Sequence, residues 1–189
     1  NIGKEQLGGV DVHCGKSGMA DLCVEDDYDC IRKIREFLSF LPSNCHEEPP
    51  RKESSDDSER EDEELLDIVP SAPKRAYDMR RIIQAIVDDR EFFELKPSYA
   101  RNIITSLARM DGRTVGIIAN QPMWLAGAID VRAADKASYF IEFCDAFGIP
   151  LIFFQDVPGF LPGPQSELEG IIKHSTRLIY QLAHATVPR

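Results

Sequence analysis

The stretch best suited to chemistry is Phe153-Phe154-Gln155-Asp156-Val157-Pro158-Gly159-Phe160-Leu161-Pro162-Gly163, where an apolar run ends in a polar pair and then a rigid bend. Proline fixes φ and has no N–H to donate, while glycine lets main chain approach a ligand closely. Alternating them makes a stiff loop with bare backbone, which suits a flat or amide-rich ligand. The other reading is an ordinary tight turn, and the residues alone leave the two open. Asn120-Gln121-Pro122 opens a second such loop, NQPMWLAG. Metal chemistry is poorly supplied: the five cysteines, at 14, 23, 30, 45 and 144, form no CxxC pair and no His/Cys spacing suited to zinc. They read more readily as buried free thiols than as a disulfide or a metal site, and no metal is expected.

Both loops need strands to hold them. RTVGIIANQP gives a strand from Thr114 to Ala119, and Leu151 to Asp156 gives the next. Between them VRAADKASYFIEFCDAF reads as a helix with Ala134, Ala137, Ile141 and Cys144 along one side, ended by Gly148-Ile149-Pro150. LEGIIKHSTRLIYQLAHA is the following helix. Alternating strands and helices predict an α/β fold around a largely parallel sheet, whose ligands gather beyond the carboxyl ends of the strands. That brings the two loops together. Earlier, Ile82, Ile83, Ile86 and Val87 share a helical face ended by Asp88-Asp89, before a short extended REFFEL.

The remainder divides the chain. At 189 residues, 43% hydrophobic and 29% charged, it has room for one domain or two incomplete ones. Formal charge is −10, which speaks against a nucleic-acid binder. Apolar runs are strand-sized and Asn1-Ile2-Gly3-Lys4 lacks the pattern of a secretory signal, so no membrane or export role is expected. Eleven acidic and three basic residues between Glu47 and Asp67 carry −8 of the charge, with Pro-Pro, Ser-Ser and no large apolar residue before Leu65. Residues 47–75 therefore read as a solvated acidic linker. In 1–46, ADLCV reads as a short strand, and Asp26-Asp27 caps a helix carrying Ile31, Ile34, Leu38 and Leu41 and stopped by Pro42. One helix and a strand close no core, so 1–46 reads as the tail of a domain and 76–189 as the main block.

GRTVGIIANQP, FIEFCDAFGIPLIFFQDVPGFLPG and GIIKH resemble the carboxyltransferase (β) subunit of biotin-dependent acyl-CoA carboxylases, of the propionyl-CoA carboxylase type. QLGGVDVHCGKSGMAD resembles the end of that subunit's N-terminal half, and YDMRRIIQAIVDDREFFELKPSYARNIITSLARMDGRTVGIIANQP the start of its C-terminal half. The likeness covers nearly everything except the acidic segment. It implies a partial crotonase-like (ClpP/crotonase) ββα superhelix, assembled as a hexamer with sites between the N half of one subunit and the C half of another. Implied with it are biotin on a separate carrier domain, a biotin carboxylase/biotin carrier partner, and acyl-CoA as substrate. The address follows as cytoplasmic, with the mitochondrial matrix as the other possibility.

In this family the thioester enolate and the biotin ureido oxygen are held by backbone N–H groups, each donor worth about 3–4 kcal/mol in well-studied hydrolases. The Gly-Gly-Ala motifs that form these holes fall outside this chain, so it reads as an internal fragment, inactive alone, and no catalytic residue is assigned. By family position Arg90, Phe92, Phe93, Tyr99, Arg109 and Asn120 fall in the acyl-CoA region. For Phe92 and Phe93 a core role competes with the cleft, and for Arg109 and Arg101 solvent competes with CoA phosphates. Gln121, Pro122, Asp156, Val157, Pro158, Gly159, Phe160, Gly163 and Gly170 fall by the biotin and acyl pocket, with Phe160 as an apolar wall, Gly159 allowing close approach and Asp156 orienting loop amides. Three departures from the family pattern stand out: Glu169 before Gly170, Ser175-Thr176 after His174, and the bulky Trp124 where smaller residues are usual. The first two would crowd a ligand at the helix entrance. His174 reads as a helix-face residue rather than a base. Rival readings are a biotin-dependent decarboxylase or transcarboxylase subunit, or a non-catalytic scaffold homologue.

Overall fold

The computed structural model describes residues 2–57, 59–72 and 75–189. Among these described residues four strands, β1 (Phe92–Leu95), β2 (Ile103–Met110), β3 (Arg113–Asn120) and β4 (Leu151–Phe154), form one sheet in that order. β1 with β2 and β2 with β3 are antiparallel; β3 with β4 is parallel, Ile117 opposite Ile152. The expectation of a largely parallel sheet is therefore corrected: one pairing of three is parallel. Asn102-Ile103-Ile104-Thr105 begins a strand that the helix-and-strand alternation hid. Asp111-Gly112, with φ of 50° and 72°, is the tight hairpin turn that joins it to β3.

Among the described residues the α-helices are α1 (Lys4–Gly8), α2 (Asp27–Leu38), α3 (Glu64–Ile68), α4 (Met79–Ile86), α5 (Val131–Ala146), α6 (Pro164–Leu168) and α7 (Ile171–His184). Strand side chains alternate between faces. Ile103, Leu107 and Ile118 face α5 and α7, where Ala133, Ala134, Ala137, Ile141, Cys144 and Leu178 are buried. Ile104, Ala108, Val115, Ile117 and Ala119 face α4, which buries Met79, Ile83 and, at its end, Val87. Gly116 lets α5 dock, because a Cβ there would stand 2.5 Å from Cys144 Sγ. The predicted apolar faces of α4 and α5 are thus the ones buried.

The first piece differs more. Asp26 does cap α2, accepting from the Asp29 N–H at 2.8 Å. The face of α2 that packs is Phe37, with Phe40 just beyond the helix, both against Phe93 at 5.9 and 6.2 Å between centroids. Ile31, Ile34 and Leu38 stay about half exposed. Ala20–Val24 joins no strand; it is pinned by Lys96, whose N–H reaches the Asp21 carbonyl at 2.8 Å. Cys14 and Cys23 are disulfide-bonded and Cys45 is exposed, so the reading of five buried free thiols holds only for Cys144 and, in part, Cys30.

The acidic segment, whose Ser58, Pro73 and Lys74 lie outside the described residues, is not simply solvated. Ile68 of α3 is buried. Arg60 donates to the Ala85 and Val87 carbonyls at 3.0 and 2.9 Å. Glu64 meets Arg81 and Arg90, both at about 3 Å, and Asp62 meets Arg90 at 2.5 Å. The main block supplies the cations that the segment lacks in itself.

Candidate functional site

β3 and β4 run parallel, so their carboxyl ends open on the same edge, and the backbone laces the two following loops together. Ile129 N–H donates to the Gly159 carbonyl at 3.0 Å, and Leu161 N–H to the Ile129 carbonyl at 2.8 Å. Gly127, at φ 77°, fits under the second loop only as glycine, since a Cβ would sit 2.6 Å from the Asp156 carbonyl oxygen. Asn120 holds that glycine, its side-chain amide donating to the Gly127 carbonyl at 2.9 Å.

Beneath the loops lies a polar clamp. Gln121 is wholly buried; its amide donates to Asp78 at 2.5 Å, and its carbonyl accepts from the Met79 N–H at 3.3 Å and the Met123 N–H at 3.4 Å. Asp78 also caps α4, accepting from the Arg80 N–H. One residue earlier, Tyr77 donates its hydroxyl to Asp156 at 2.8 Å. Burial first, then the Asp156 carboxylate, push that phenol well above its ordinary range. The N-terminal end of α4 thereby ties both loops in place. Asp156, expected to orient loop amides, instead accepts from Tyr77, two residues before α4 begins. Tyr77 and Asp78 were not foreseen; an Asp that precedes an apolar helical run was the one available signal.

Above the clamp the second loop is open. Pro158 and Phe160 are exposed and Val157 is half-buried. Gly159 and Gly163 sit at φ 133° and 140°, and no heavy atom lies within 4 Å of where a Cβ would stand on either. Open space thus lies over the α-carbons of both glycines, while their carbonyls accept from the Ile129 and Glu167 N–H groups at 3.0 and 3.1 Å. Gly170, left-handed at φ 82°, starts α7. The hydroxyls of Ser175 and Thr176 fold back onto the Ile172 carbonyl at 3.0 and 2.7 Å, so the expected crowding by these two side chains at the helix entrance is not realised. His174 lies on the helix face, 2.7 Å from Asp135, half-buried.

The structure brings Asn120, Gln121, Pro122, Asp156, Val157, Pro158, Gly159, Phe160, Gly163 and Gly170 to this edge and its approaches. Others it does not. Phe93 is buried in the core, and Phe92 packs partly buried toward α4. Arg90 is paired with Asp62 and Glu64. Arg109 donates to the Ser39 carbonyl at 2.8 Å and lies over the Phe40 ring at 4.1 Å. It pairs in register with Thr114, six residues before Asn120, about 20 Å down the strand from the loops. Tyr99 is half-buried against Gly18, on the loop leading into β2.

Lys136 was also missed. It is buried in α5 and donates to the Lys96, Tyr99 and Ile103 carbonyls at 2.8–2.9 Å, holding the 96–102 loop from below. Burial pushes its ammonium down to about 7. Among the described residues no group of three or more His, Cys, Asp or Glu could hold a metal ion, and no helix is long and apolar enough to cross a membrane.

The family model for the carboxyl transferase domain matches residues 1–189. The chain is 50% identical over 185 residues to the methylmalonyl-CoA decarboxylase subunit alpha of Veillonella parvula, covering 98% of this chain and 36% of that protein. It is 48% identical over 189 residues to the mitochondrial propionyl-CoA carboxylase beta chain of Mus musculus, covering 100% of this chain and 35% of that one. Among solved structures, transcarboxylase 12S, described as a hexamer with hydrolysed methylmalonyl-coenzyme A bound, matches with a TM-score of 0.97 at 43% identity, covering 100% of this chain and 37% of that chain. The mixed α/β architecture is thus crotonase-like, and the chain spans little more than a third of the length of these relatives.

Proposed function

The chain belongs to the carboxyl transferase domain family, and from that premise we propose that it forms part of a carboxyltransferase moving CO2 from carboxybiotin to the α-carbon of a short acyl-CoA, propionyl-CoA first. The observation that carries this reading is the open main chain at Gly159 and Gly163, in a loop otherwise locked by Tyr77, Gln121 and the Ile129 bridge. A ureido ring fits such a surface: it is flat, needs backbone at close range, and would be obstructed by any Cβ.

When bound, carboxybiotin supplies the CO2 and, on leaving, the base that takes the α proton. The chain's own residues position. Phe160 offers an apolar wall beside the bare backbone. Asn120 and Gln121 fix the first loop through its carbonyl and amide groups, so that no reorganisation is needed when charge develops on the substrate. Asp156 is engaged by Tyr77 and serves as an anchor rather than a proton carrier.

A biotin carboxylase and carrier partner, a hexameric assembly, and an address in the cytoplasm or the mitochondrial matrix go with this proposal. The 50% identity to a methylmalonyl-CoA decarboxylase subunit favours a second reading, in which the same loops serve the reverse step, loss of CO2 from methylmalonyl-CoA. The test is fixation of radiolabelled bicarbonate by the full-length subunit with its biotin partner across a panel of acyl-CoAs. Acid-stable label with propionyl-CoA above acetyl-CoA and longer chains is expected. No label with any acyl-CoA, together with CO2 release from methylmalonyl-CoA, would hand the case to the second reading.

A further inference from the structure

Cys14 and Cys23 close a covalent ring against the loop that leads into β2. From Ser17 to Cys23 the ring adopts no helix or strand, so the disulfide and a few hydrogen bonds set its shape. Ser17 N–H donates to the Val12 carbonyl at 2.8 Å, and Ala20 N–H to the His13 carbonyl at 3.2 Å. The ring grips Lys96. Lys96 N–H donates to the Asp21 carbonyl at 2.8 Å, and its ammonium meets the Asp21 carboxylate at 3.1 Å and the Gly18 carbonyl. Gly18, at φ 63°, lies so close on the Tyr99 ring that a Cβ would stand 2.6 Å from it.

The gripped loop is strained. Lys96 and Ala100 adopt φ of 53° and 44°, a conformation that costs side-chain-bearing residues energy and persists where the surroundings impose it. Lys136 supplies one hold, on the Lys96, Tyr99 and Ile103 carbonyls; the Cys14–Cys23 ring supplies the other, on Lys96 and Tyr99. Asn102 passes that hold on to the candidate site. Its carbonyl accepts from the Gln121 N–H at 2.9 Å, and its amide donates to the Ala128 carbonyl at 2.7 Å and to Asp130 at 3.1 Å. Between Ala128 and Asp130 stands Ile129, whose bridge ties the two site loops together.

The two sulfurs are unequally placed: Cys23 is exposed and Cys14 buried, so an attacking thiolate meets Cys23 first. We propose that Cys14 and Cys23 form a redox-responsive clasp on the candidate site, which holds the 96–102 loop in its strained form when oxidised and is released by a dithiol. One thiolate of the dithiol attacks Cys23 Sγ; the Cys14–Cys23 bond breaks, and Cys14 leaves as a thiolate that takes up a proton. The second thiol then displaces Cys23 from the mixed disulfide. The protein gains two electrons and two protons, and the dithiol becomes a disulfide. In a reducing compartment such as the one proposed above, a disulfide is usually redox-sensing rather than static. Control of turnover rests on the carboxyltransferase reading; the clasp itself does not.

The full-length subunit is equilibrated with oxidised glutathione or with dithiothreitol, its free thiols are capped with iodoacetamide, and the digest is read by mass spectrometry. The oxidised sample should yield a cross-linked Cys14–Cys23 peptide; both residues capped as thiols in that sample would overturn the clasp. Hydrogen exchange then compares the two forms. Amides of 96–103 should exchange about tenfold faster after reduction, while those of Asp111 and Gly112 stay as they were. Cys23→Ser, which alters only the exposed end, should exchange like the reduced parent under both conditions. Cys45→Ser, at an exposed thiol outside the ring, should respond as the parent does. Equal exchange in the two forms of the parent, or a Cys23→Ser variant that still responds to dithiothreitol, would overturn the clasp. Bicarbonate fixation with propionyl-CoA should fall several-fold on reduction and return on reoxidation. Amides that respond while neither form fixes bicarbonate keep the clasp and sink the carboxyltransferase; fixation indifferent to reduction keeps the carboxyltransferase and sinks its control by the clasp.

Discussion

The two ends of the β2–β3 pair are built on opposite terms. At the hairpin end, the Asp88 carboxylate accepts from the Asp111 and Gly112 N–H groups at 3.0 and 2.7 Å, Arg51 meets Asp111 at 2.7 Å, and Lys52 N–H donates to the Gly112 carbonyl at 2.9 Å. The turn itself is answered by other parts of the chain, although Arg109 Nε and Thr114 Oγ1 just behind it are buried without a partner. At the Asn120 end, polar groups below the loops are answered by Asn120 and Gln121, and the upper surface leaves open space where a Cβ would stand on Gly159 and Gly163. A fold gains stability by satisfying polar groups, and a buried donor left unmade costs about 1–3 kcal/mol. What separates the ends is room over glycine backbone: Gly112 is closed over by the Lys52 carbonyl, whereas Gly159 and Gly163 face open space.

The largest break in that comparison comes from below the open end. Lys136→Met removes three donors at once and strands the Lys96, Tyr99 and Ile103 carbonyls away from water. Urea unfolding should show a loss of about 1–3 kcal/mol, the range for leaving buried acceptors unsatisfied. The same residue gives stability a pH slope. With its folded-state value lowered to about 7 from 10.5, the unfolded chain binds the extra proton between those values. Stability should rise with pH through that window, and the penalty for burying the charge is fully present below 7. Unfolding midpoints at pH 6.5 and 9.5 should differ in the parent by more than in Lys136→Met; equal differences would dismiss Lys136 as the source.

A matched pair of glycines sharpens it next. Gly127 and Gly112 sit at φ 77° and 72°, and a Cβ at either would run into a backbone carbonyl, Asp156 at one and Lys52 at the other. Alanine at each should cost about 1–3 kcal/mol in thermal or urea unfolding. Only Gly127→Ala should also cut kcat/KM, on the order of a hundredfold, because it pries the two site loops apart. Gly112→Ala, assayed where it remains folded, should keep parent activity. Equal losses of activity would remove the distinction between the ends.

Legibility in the sequence followed the same division. Helical periodicity exposed α4 and α5, since burial of Ile83, Ala134, Ala137, Ile141 and Cys144 is written at fixed spacing. The Pro-Gly loop was visible because only those residue types make stiff bare backbone. β2 was lost because Asn102–Met110 sits between stronger signals, although Asp111-Gly112 marks its hairpin. The cross-links Tyr77–Asp156, Gln121–Asp78 and Arg90–Glu64 join residues 26 to 79 apart in the chain, and no local pattern announces such pairs. The acidic segment misled for that reason: its composition is that of a free tether, and its partners lie in another block.

The smallest expected effect decides what Asp156 does. Tyr77→Phe deletes one hydrogen bond at a carboxylate that is itself exposed, so its stability cost should be about 1 kcal/mol. If the bond positions the second loop, kcat should fall several-fold while KM for acyl-CoA is unchanged. Asp156→Ala should match it. Asp156→Asn keeps an oxygen to accept the Tyr77 proton but cannot carry a charge, so it should restore most of kcat. Loss of activity in Asp156→Asn as deep as in Asp156→Ala would instead make the carboxylate a proton carrier, and the bare backbone beside it would no longer be the principal chemistry of that edge.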